Sequence, residues 1–278
     1  MTRVYDLHTH STASDGAYTP AELVRQAAEA GITDLALTDH DTVDGLQEAS
    51  VEAARLGIRL IPAVEVSAGW QRKSIHVVGL GIDPEHGGLR SGLDGIAQIR
   101  RVRAQEIGRR LAKCGIADCH EAVLAGAGQG MVTRAHFARH LFERGEVATV
   151  QDAFDRYLGR GKPAYVPTEW TPLAEAVAWI RAAGGVAVLA HPQRYKLSGS
   201  WMRRLLQEFC GCGGQAMEVV TGNGAPQDID VAAQQARRFG LLASVGSDFH
   251  TPDHYWIKLG RLPALPAGVE PVWSLWHG

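Results

Sequence analysis

The sequence predicts an α/β barrel interrupted by an all-helical module, and three observations carry the prediction. Short apolar runs alternate with helix-period stretches in the first third, helices alone fill the middle, and strand-helix alternation then resumes. The 278 residues exceed the commonest single-domain length but suit one barrel with an insertion. With 45% hydrophobic and 21% charged residues, the chain has ordinary globular composition, which excludes a disordered or fibrous protein.

Val4–His10, Asp34–His40, Arg59–Ser67 and Ser74–Gly81 read as strands. Pro20–Ala30 and Leu46–Leu56 lie between them with helical period, the first introduced by Thr19-Pro20, an N-cap followed by Pro at the first helical position. From about His86 the strands stop. Leu93–Cys114 places Ile96, Ile99, Ile107 and Leu111 roughly on one face before Gly115, and helices near Ala117–Ala125, Thr133–Glu143 and Val150–Leu158 follow. After Gly159-Arg160-Gly161-Lys162-Pro163 come strands at Val186–Ala190, Ala216–Val220 and Leu241–Ser247, with helices near Pro172–Ala183, Trp201–Cys210 and Gln227–Phe239. About seven βα units on a largely parallel sheet are expected, with residues 1–85 and 164–278 as barrel and 86–163 as helical insertion.

Charge is unevenly placed. Between Arg100 and Pro163 there are 12 Lys/Arg against 7 Asp/Glu, while the whole chain carries a formal charge of −2. A basic helical stretch reads either as a solvated surface or as a pocket for an anionic substrate. The four cysteines, Cys114, Cys119, Cys210 and Cys212, form no C-x-x-C pair and read as reduced thiols. No window is apolar enough to span a membrane and the N-terminus lacks a signal pattern, so a cytoplasmic location is expected. The Trp-rich tail, with Trp256, Trp273 and Trp276, is expected to pack back on the barrel; nothing in the sequence fixes an oligomeric state beyond a possible monomer.

His8 and His10, in Asp6-Leu7-His8-Thr9-His10, stand two apart at the end of an apolar run and so face the same side of a strand. His40, Glu65, His76, His191, Asp248 and His250 likewise lie at or beside the ends of apolar runs. In a barrel of parallel strands such ends converge on one face. A single one of these residues is as easily a satisfied core group, but the repeated placement implies a metal cluster. Imidazole and carboxylate donors without thiolates suit Zn, Mn or Fe(II). Asp6, Asp39 and Asp41 flank these positions, open to orienting a metal-bound imidazole or to capping a strand end. The remaining histidines, His86, His120, His140, His254 and His277, read as ordinary surface groups, with His136 set apart.

Asp6-Leu7-His8-Thr9-His10-Ser11, Ser14-Asp15-Gly16, Thr38-Asp39-His40-Asp41, Glu65, His76, Ala190-His191-Pro192 and Ser247-Asp248-Phe249-His250 together resemble the polymerase-and-histidinol-phosphatase (PHP) family of metallophosphoesterases. The resemblance implies a distorted barrel of seven βα units and up to three divalent metals. His8, His10, Glu65 and Asp248 would hold one metal. Glu65 would bridge to a second with His76 and His191, and Asp15, His40 and His250 would hold the third. Several family members place His where this chain has Asp15, and the harder ligand favours Mn or Fe over strict zinc at that site. Within the family the likeness is to bacterial 3′,5′-nucleoside bisphosphate phosphatases, also described as 5′-to-3′ exoribonucleases on short RNA 5′ ends. Val132-Thr133-Arg134-Ala135-His136-Phe137-Ala138-Arg139, Arg160-Gly161-Lys162, Tyr165-Val166-Pro167 and His191-Pro192-Gln193-Arg194-Tyr195 carry it.

The implied reaction is attack of a metal-bridging hydroxide on the phosphate 3′ to a 5′-phosphorylated nucleoside. Arg134, His136, Arg160 and Lys162 are the candidates for holding the substrate's other phosphate. Three rivals stand beside this reading. A histidinol phosphatase has a substrate without a second phosphate, which the basic insertion does not suit. An amidohydrolase uses a strand-end Lys, and none of Lys73, Lys113, Lys162, Lys196 and Lys258 ends an apolar strand as the other ligands do. A catalytically inactive binding module would have lost ligands, and here every position is filled.

Overall fold

A computed structural model describes residues 3–128 and 130–276. The chain runs β1 (Tyr5–Asp6), α1 (Pro20–Glu29), β2 (Asp34–Leu37), α2 (Leu46–Leu56), β3 (Arg59–Trp70) and β4 (Lys73–Leu80). Helices α3 (Gly87–Lys113), α4 (Cys119–Ala127), α5 (Arg134–Glu143) and α6 (Val150–Ala153) follow, the last continuing as a π-helical turn over Phe154–Leu158. Then come β5 (Thr171–Pro172), α7 (Leu173–Ala182), β6 (Val186–Leu189), α8 (Gly199–Gly211), β7 (Ala216–Thr221), α9 (Pro226–Phe239) and β8 (Leu242–Gly246). His277 lies outside the described residues.

The strands pair in the order β1-β2-β3-β4-β6-β7-β8, with β5 added beside β3. Leu7 N donates to Val245 O at 3.1 Å and Thr9 bridges Phe249 in parallel, so the last strand meets the first and the barrel nearly closes. Every pairing is parallel except those of β4, which is antiparallel to both β3 and β6. The expected distorted barrel is present, and its distortion lies where β3 and β4 are joined by the two-residue turn Gln71-Arg72 with no helix between them. Both turn residues take positive φ, 47° and 58°, as a tight hairpin of this hand requires. Neither is Gly, Asn or Asp, so the sequence carries no turn signal there.

Local chemistry sets the helix starts. Thr19 and Glu22 form a reciprocal capping box on α1, with Glu22 N donating to Thr19 Oγ1 at 3.2 Å and Thr19 N donating to Glu22 Oε2 at 2.9 Å. Such a cap is worth about 1 kcal/mol. His86 Nδ1 accepts from Leu89 N at 3.3 Å, which starts α3 at Gly87, six residues before the expected Leu93, and makes His86 a cap.

Among the described residues, three apolar clusters divide the interior. Leu35, Leu37, Val64 and Val66 point outward to the surrounding helices, while Ala36, Ile61, Ala63, Val78, Leu80, Val188 and Ala216 fill the barrel. A third cluster, with Ile107, Leu111, Phe137, Leu141 and Leu158, belongs to the helices between β4 and β5. Helix α3 spans two of them, giving Leu89, Leu93 and Ile96 to the layer around the barrel and Ala104, Ile107 and Leu111 to the helical cluster. Each fully buried Leu or Ile contributes about 1.5–3 kcal/mol. The Trp-rich tail divides: Trp273 stacks on Tyr5 at 4.1 Å and packs against the barrel interior with Trp276, but Trp256 is 54% exposed and does not pack back. Among the described residues no helix is long and apolar enough to cross a membrane.

Candidate metal centre

Inward-facing strand positions change from apolar to ionisable along the barrel axis. On β3 the inward series is Ile61, Ala63, Glu65 and Ser67; on antiparallel β4 it is Leu80, Val78 and His76; on β7, Ala216 is followed by Glu218. Glu65 and His76 are thus mid-strand, not at strand ends as expected, because β3 extends to Trp70 and β4 runs the other way. They face each other in the same layer. His8, His10, His40, His191, Asp248 and His250 reach this layer from loops that follow strands. His191 (φ 27°) and Asp248 (φ 55°) hold left-handed backbone unusual for residues with a side chain, and such strain costs about 1–3 kcal/mol each. Gly246 lets β8 approach closely, since a Cβ there would meet His8 Cβ at 2.3 Å.

The nine side chains come together as one layer of donor atoms. His8 Nε2 lies 3.3 Å from both Glu65 Oε2 and Asp248 Oδ1, and His10 Nε2 lies 3.3 and 3.1 Å from the same two oxygens. The two Nε2 atoms are 3.1 Å apart. Donors bound at ~2.0–2.2 Å to one ion stand about 3.0–3.4 Å from one another, so these spacings suit a shared cation. Glu65 Oε1 is 2.9 Å from His76 Nδ1 and 2.9 Å from His191 Nε2. Asp15 Oδ1 is 3.3 Å from His250 Nε2 and 3.9 Å from His40 Nε2. Two sharings differ from the expected sets: His10 also faces the group of Asp15, His40 and His250, and His40 Nδ1 also approaches Glu65 Oε2 at 2.9 Å.

Burial and charge prepare these groups for cations. Glu65 is fully buried, yet Glu65 Oε2, Asp15 Oδ1 and His40 Nδ1 make no well-aligned hydrogen bond, although His40 Nδ1 and Glu65 Oε2 are 2.9 Å apart. Unpaired buried polar atoms aimed at one another are costly unless something lies between them. A set of imidazoles and carboxylates with three such atoms fits divalent cations. Burial opposes ionisation of Asp15, Glu65 and Asp248, but neighbouring imidazoles, and Arg194 at Asp248, hold all three well below the ordinary carboxylate range. His10 is pushed down to about 3 by burial and by His250 and His40, which keeps it a neutral donor.

The flanking carboxylates do not orient imidazoles. Asp6 accepts from Ser247 N and Gly260 N, Asp39 from Ser11 and Ser14, and Asp41 from Ser67 N and Arg100, so each braces loops around the centre. The group that does orient an imidazole is Glu218, which sequence reading missed. Its Oε1 accepts from His8 Nδ1 at 2.6 Å and its Oε2 from His191 N at 2.5 Å. The signal was a lone carboxylate inside the apolar run Ala216–Val220.

A cleft of about 1250 Å³ opens from Asp15, His40 and His76 and runs between the β3–β4 hairpin, α3 and α5. Arg134 and Arg160 line it, whereas Lys162 is exposed and outside its wall. His136 is also off the wall; its Nδ1 accepts from Thr133 N at 3.1 Å, and Thr133 Oγ1 in turn donates to Asp15 Oδ2 at 2.7 Å. Sequence reading overlooked Lys73, Arg100, Arg103 and Arg194 in the same wall. Arg100 and Arg103 continue the helical spacing from Ile96 to Ile107, and charges inside an apolar stripe were the available signal. Arg100 is committed to Asp41 at 2.7 Å, but Arg103 Nε is buried without a partner. Burial and the nearby Arg134 and Arg100 push Arg103 down to about 9.

Comparison with known proteins agrees with this architecture. The family model for the PHP domain matches residues 6–160. A 5′-3′ exoribonuclease of Haemophilus influenzae is 45% identical over 99% of both chains. A 3′,5′-nucleoside bisphosphate phosphatase of Chromobacterium violaceum is 44% identical over 96% of this chain and 94% of its own. A solved structure from Chromobacterium violaceum, described as an amidohydrolase with bound sulfate and no metal, superposes with a TM-score of 0.93 at 44% identity, covering 98% of this chain and 95% of that one. With the inward layer of His and carboxylate donors, these likenesses show that the chain belongs to the PHP domain family and is a hydrolase.

Proposed function

We propose that the protein hydrolyses the 3′-phosphate of nucleoside 3′,5′-bisphosphates, such as adenosine 3′,5′-bisphosphate, and removes 5′-nucleotides from short 5′-phosphorylated RNA. One observation carries the reading: the nine-donor layer opens onto a cleft whose wall holds the half-buried Arg103, its Nε buried without a hydrogen-bond partner and its guanidinium over the Trp170 ring, beside Arg134. A substrate with one phosphate at the centre and another some distance away satisfies both. The relatives named as bisphosphate phosphatase and exoribonuclease support the same specificity.

His8, His10, Glu65 and Asp248 would hold one cation, Glu65, His76 and His191 a second, and Asp15, His40 and His250 a third, with Mn favoured and Fe or Zn as alternatives. Bound there, such cations lower the pKa of water and withdraw charge from a phosphoryl group. The chain's own residues do the rest. Arg194, ion-paired with Asp248 at the cleft wall, is placed to hold a phosphoryl oxygen. Arg103 and Arg134 receive the 5′-phosphate as planar forks, with Arg160 on the same cleft wall. Both reactions break the bond between phosphorus and O3′ of a 5′-phosphorylated nucleoside, so one arrangement serves both. Residues 86–163 act as a cap that supplies these arginines. Four unpaired cysteines accord with a cytoplasmic location.

The test compares kcat/KM for adenosine 3′,5′-bisphosphate, a 5′-phosphorylated oligoribonucleotide and histidinol phosphate, with Mn supplied. Preference for either nucleotide substrate is expected. Preference for histidinol phosphate would overturn the substrate assignment, and no phosphoester hydrolysis at all would make the protein a binding module.

A further inference from the structure

The loop that leaves His250 ends in an aromatic group that the preceding chemistry does not use. Tyr255 is 76% exposed and Trp256 54% exposed. His254 stacks on Trp256 at 5.0 Å and 21°, and Tyr255 meets it edge-on at 4.9 Å and 85°. The loop is nevertheless fixed. His254 N donates to Thr251 O and Ile257 N donates to His254 O, while Ile257 and Leu259 are buried in the main core. A braced loop that turns its largest rings to water, beside a reaction centre, forgoes apolar burial and marks a binding surface.

The surroundings select the occupant. His254 lies within electrostatic reach of His250, Asp253, Arg139 and Arg194, three cationic partners to one anion. Arg139 Nη2 donates to Asp15 O at 3.4 Å and Arg194 pairs with Asp248, so two guanidiniums that touch the metal layer also lie near His254. Lys258, just beyond the loop, is exposed. Residues 251–257 do not line the cleft that holds Arg103 and Arg134, so the rings flank the centre outside that cleft. Cations followed by exposed rings are what a phosphodiester strand with unstacked bases requires.

We propose that His254, Tyr255 and Trp256 form a stacking shelf for the single-stranded RNA that continues 3′ of the scissile phosphate. The proposal rests on the RNA half of the reading given above. In a bisphosphate the scissile phosphate carries only oxygen on that side, whereas in RNA it carries the O5′ of the next nucleotide. The shelf is therefore engaged by oligonucleotides alone, and it holds the strand whose new 5′-phosphate begins the next round.

The experiment measures kcat/KM of wild type, Trp256→Ala, Trp256→Phe and Tyr255→Ala on adenosine 3′,5′-bisphosphate and on 5′-phosphorylated di- and pentaribonucleotides. Both rings are exposed, so truncation spares the core. Trp256→Ala is expected to lower the ratio of pentaribonucleotide to bisphosphate kcat/KM about tenfold, less for the dinucleotide, with Phe restoring most of it. An unchanged ratio in a variant of a wild type that degrades RNA would overturn the shelf alone. A wild type active on the bisphosphate and inert on both RNAs would overturn the shelf together with the RNA half of the function. A change in sedimentation of Trp256→Ala relative to wild type, with the ratio intact, would make the rings a protein interface and overturn it too.

Discussion

Replacing Glu218 with Gln tests whether the metal centre is held by a carboxylate that touches no metal. Glu218 is 1% exposed and bridges two structural groups, His8 Nδ1 at 2.6 Å and the backbone N of His191 at 2.5 Å. Both partners are donors, and a carboxylate can accept from both. A carboxamide accepts from one and turns its own N–H toward the other, so one buried donor loses its partner at a cost of about 1–3 kcal/mol. His8 also loses the anion that fixes its tautomer and keeps Nε2 aimed at Glu65 and Asp248, each 3.3 Å away. Loss of such support weakens metal binding about 10–100-fold, or about 1.4–2.8 kcal/mol. Calorimetric titration of Mn into chelated protein reads the second quantity, and thermal denaturation in chelator reads the first. A Gln variant that loses stability in chelator but binds Mn within twofold of wild type would show that Glu218 holds only the fold, and the orienting argument would be refuted.

Arg100→Ala leaves Asp41 buried without its 2.7 Å partner and should cost about 3–5 kcal/mol, read by urea unfolding; a change under 1 kcal/mol would mean the Ser67 N hydrogen bond alone suffices. Arg103→Ala or Arg134→Ala should raise KM for 5′-phosphorylated substrates about tenfold or more with metal content unchanged, whereas Lys162→Ala should stay within twofold. Metal loss in the Arg134 variant would refute its assignment to substrate. For pH, burial opposes the charge on His250, but Asp15 and Asp248 raise it to about 9. Its raised folded value stabilises the metal-free protein fully below the unfolded value of about 6.5, and that contribution is lost as pH rises through about 9. Metal binding must displace the same proton, so metal affinity should rise about tenfold per pH unit per proton released between about 6.5 and 9. Affinity that stays flat over that range would show that His250 is not a ligand.

Most of the metal layer was legible because its residues are rare in apolar runs and carry their meaning locally. His8 and His10 declare a shared face by their spacing, and Asp248 and His250 follow an unmistakable buried strand. Helix α1 was legible for a similar reason, since Thr19, Pro20 and Glu22 are its cap. The β3–β4 hairpin was not. Its turn, Gln71-Arg72, takes left-handed backbone without a residue that favours it, and the pairing of the two long strands overrides local preference.

By itself, the sequence determined the barrel class, the run of helices between β4 and β5 and the nine side chains that meet in one layer, since alternating periods and isolated ionisable residues are written one residue at a time. The tertiary structure decided that β4 runs backward, that Glu218 and not Asp6, Asp39 or Asp41 orients an imidazole, and that Arg103 faces the cleft while Lys162 does not. Those facts depend on which distant segments share a layer, and Glu218 meets His8 across 210 residues of chain. Such a meeting is fixed by strand order and direction, and no local pattern encodes it.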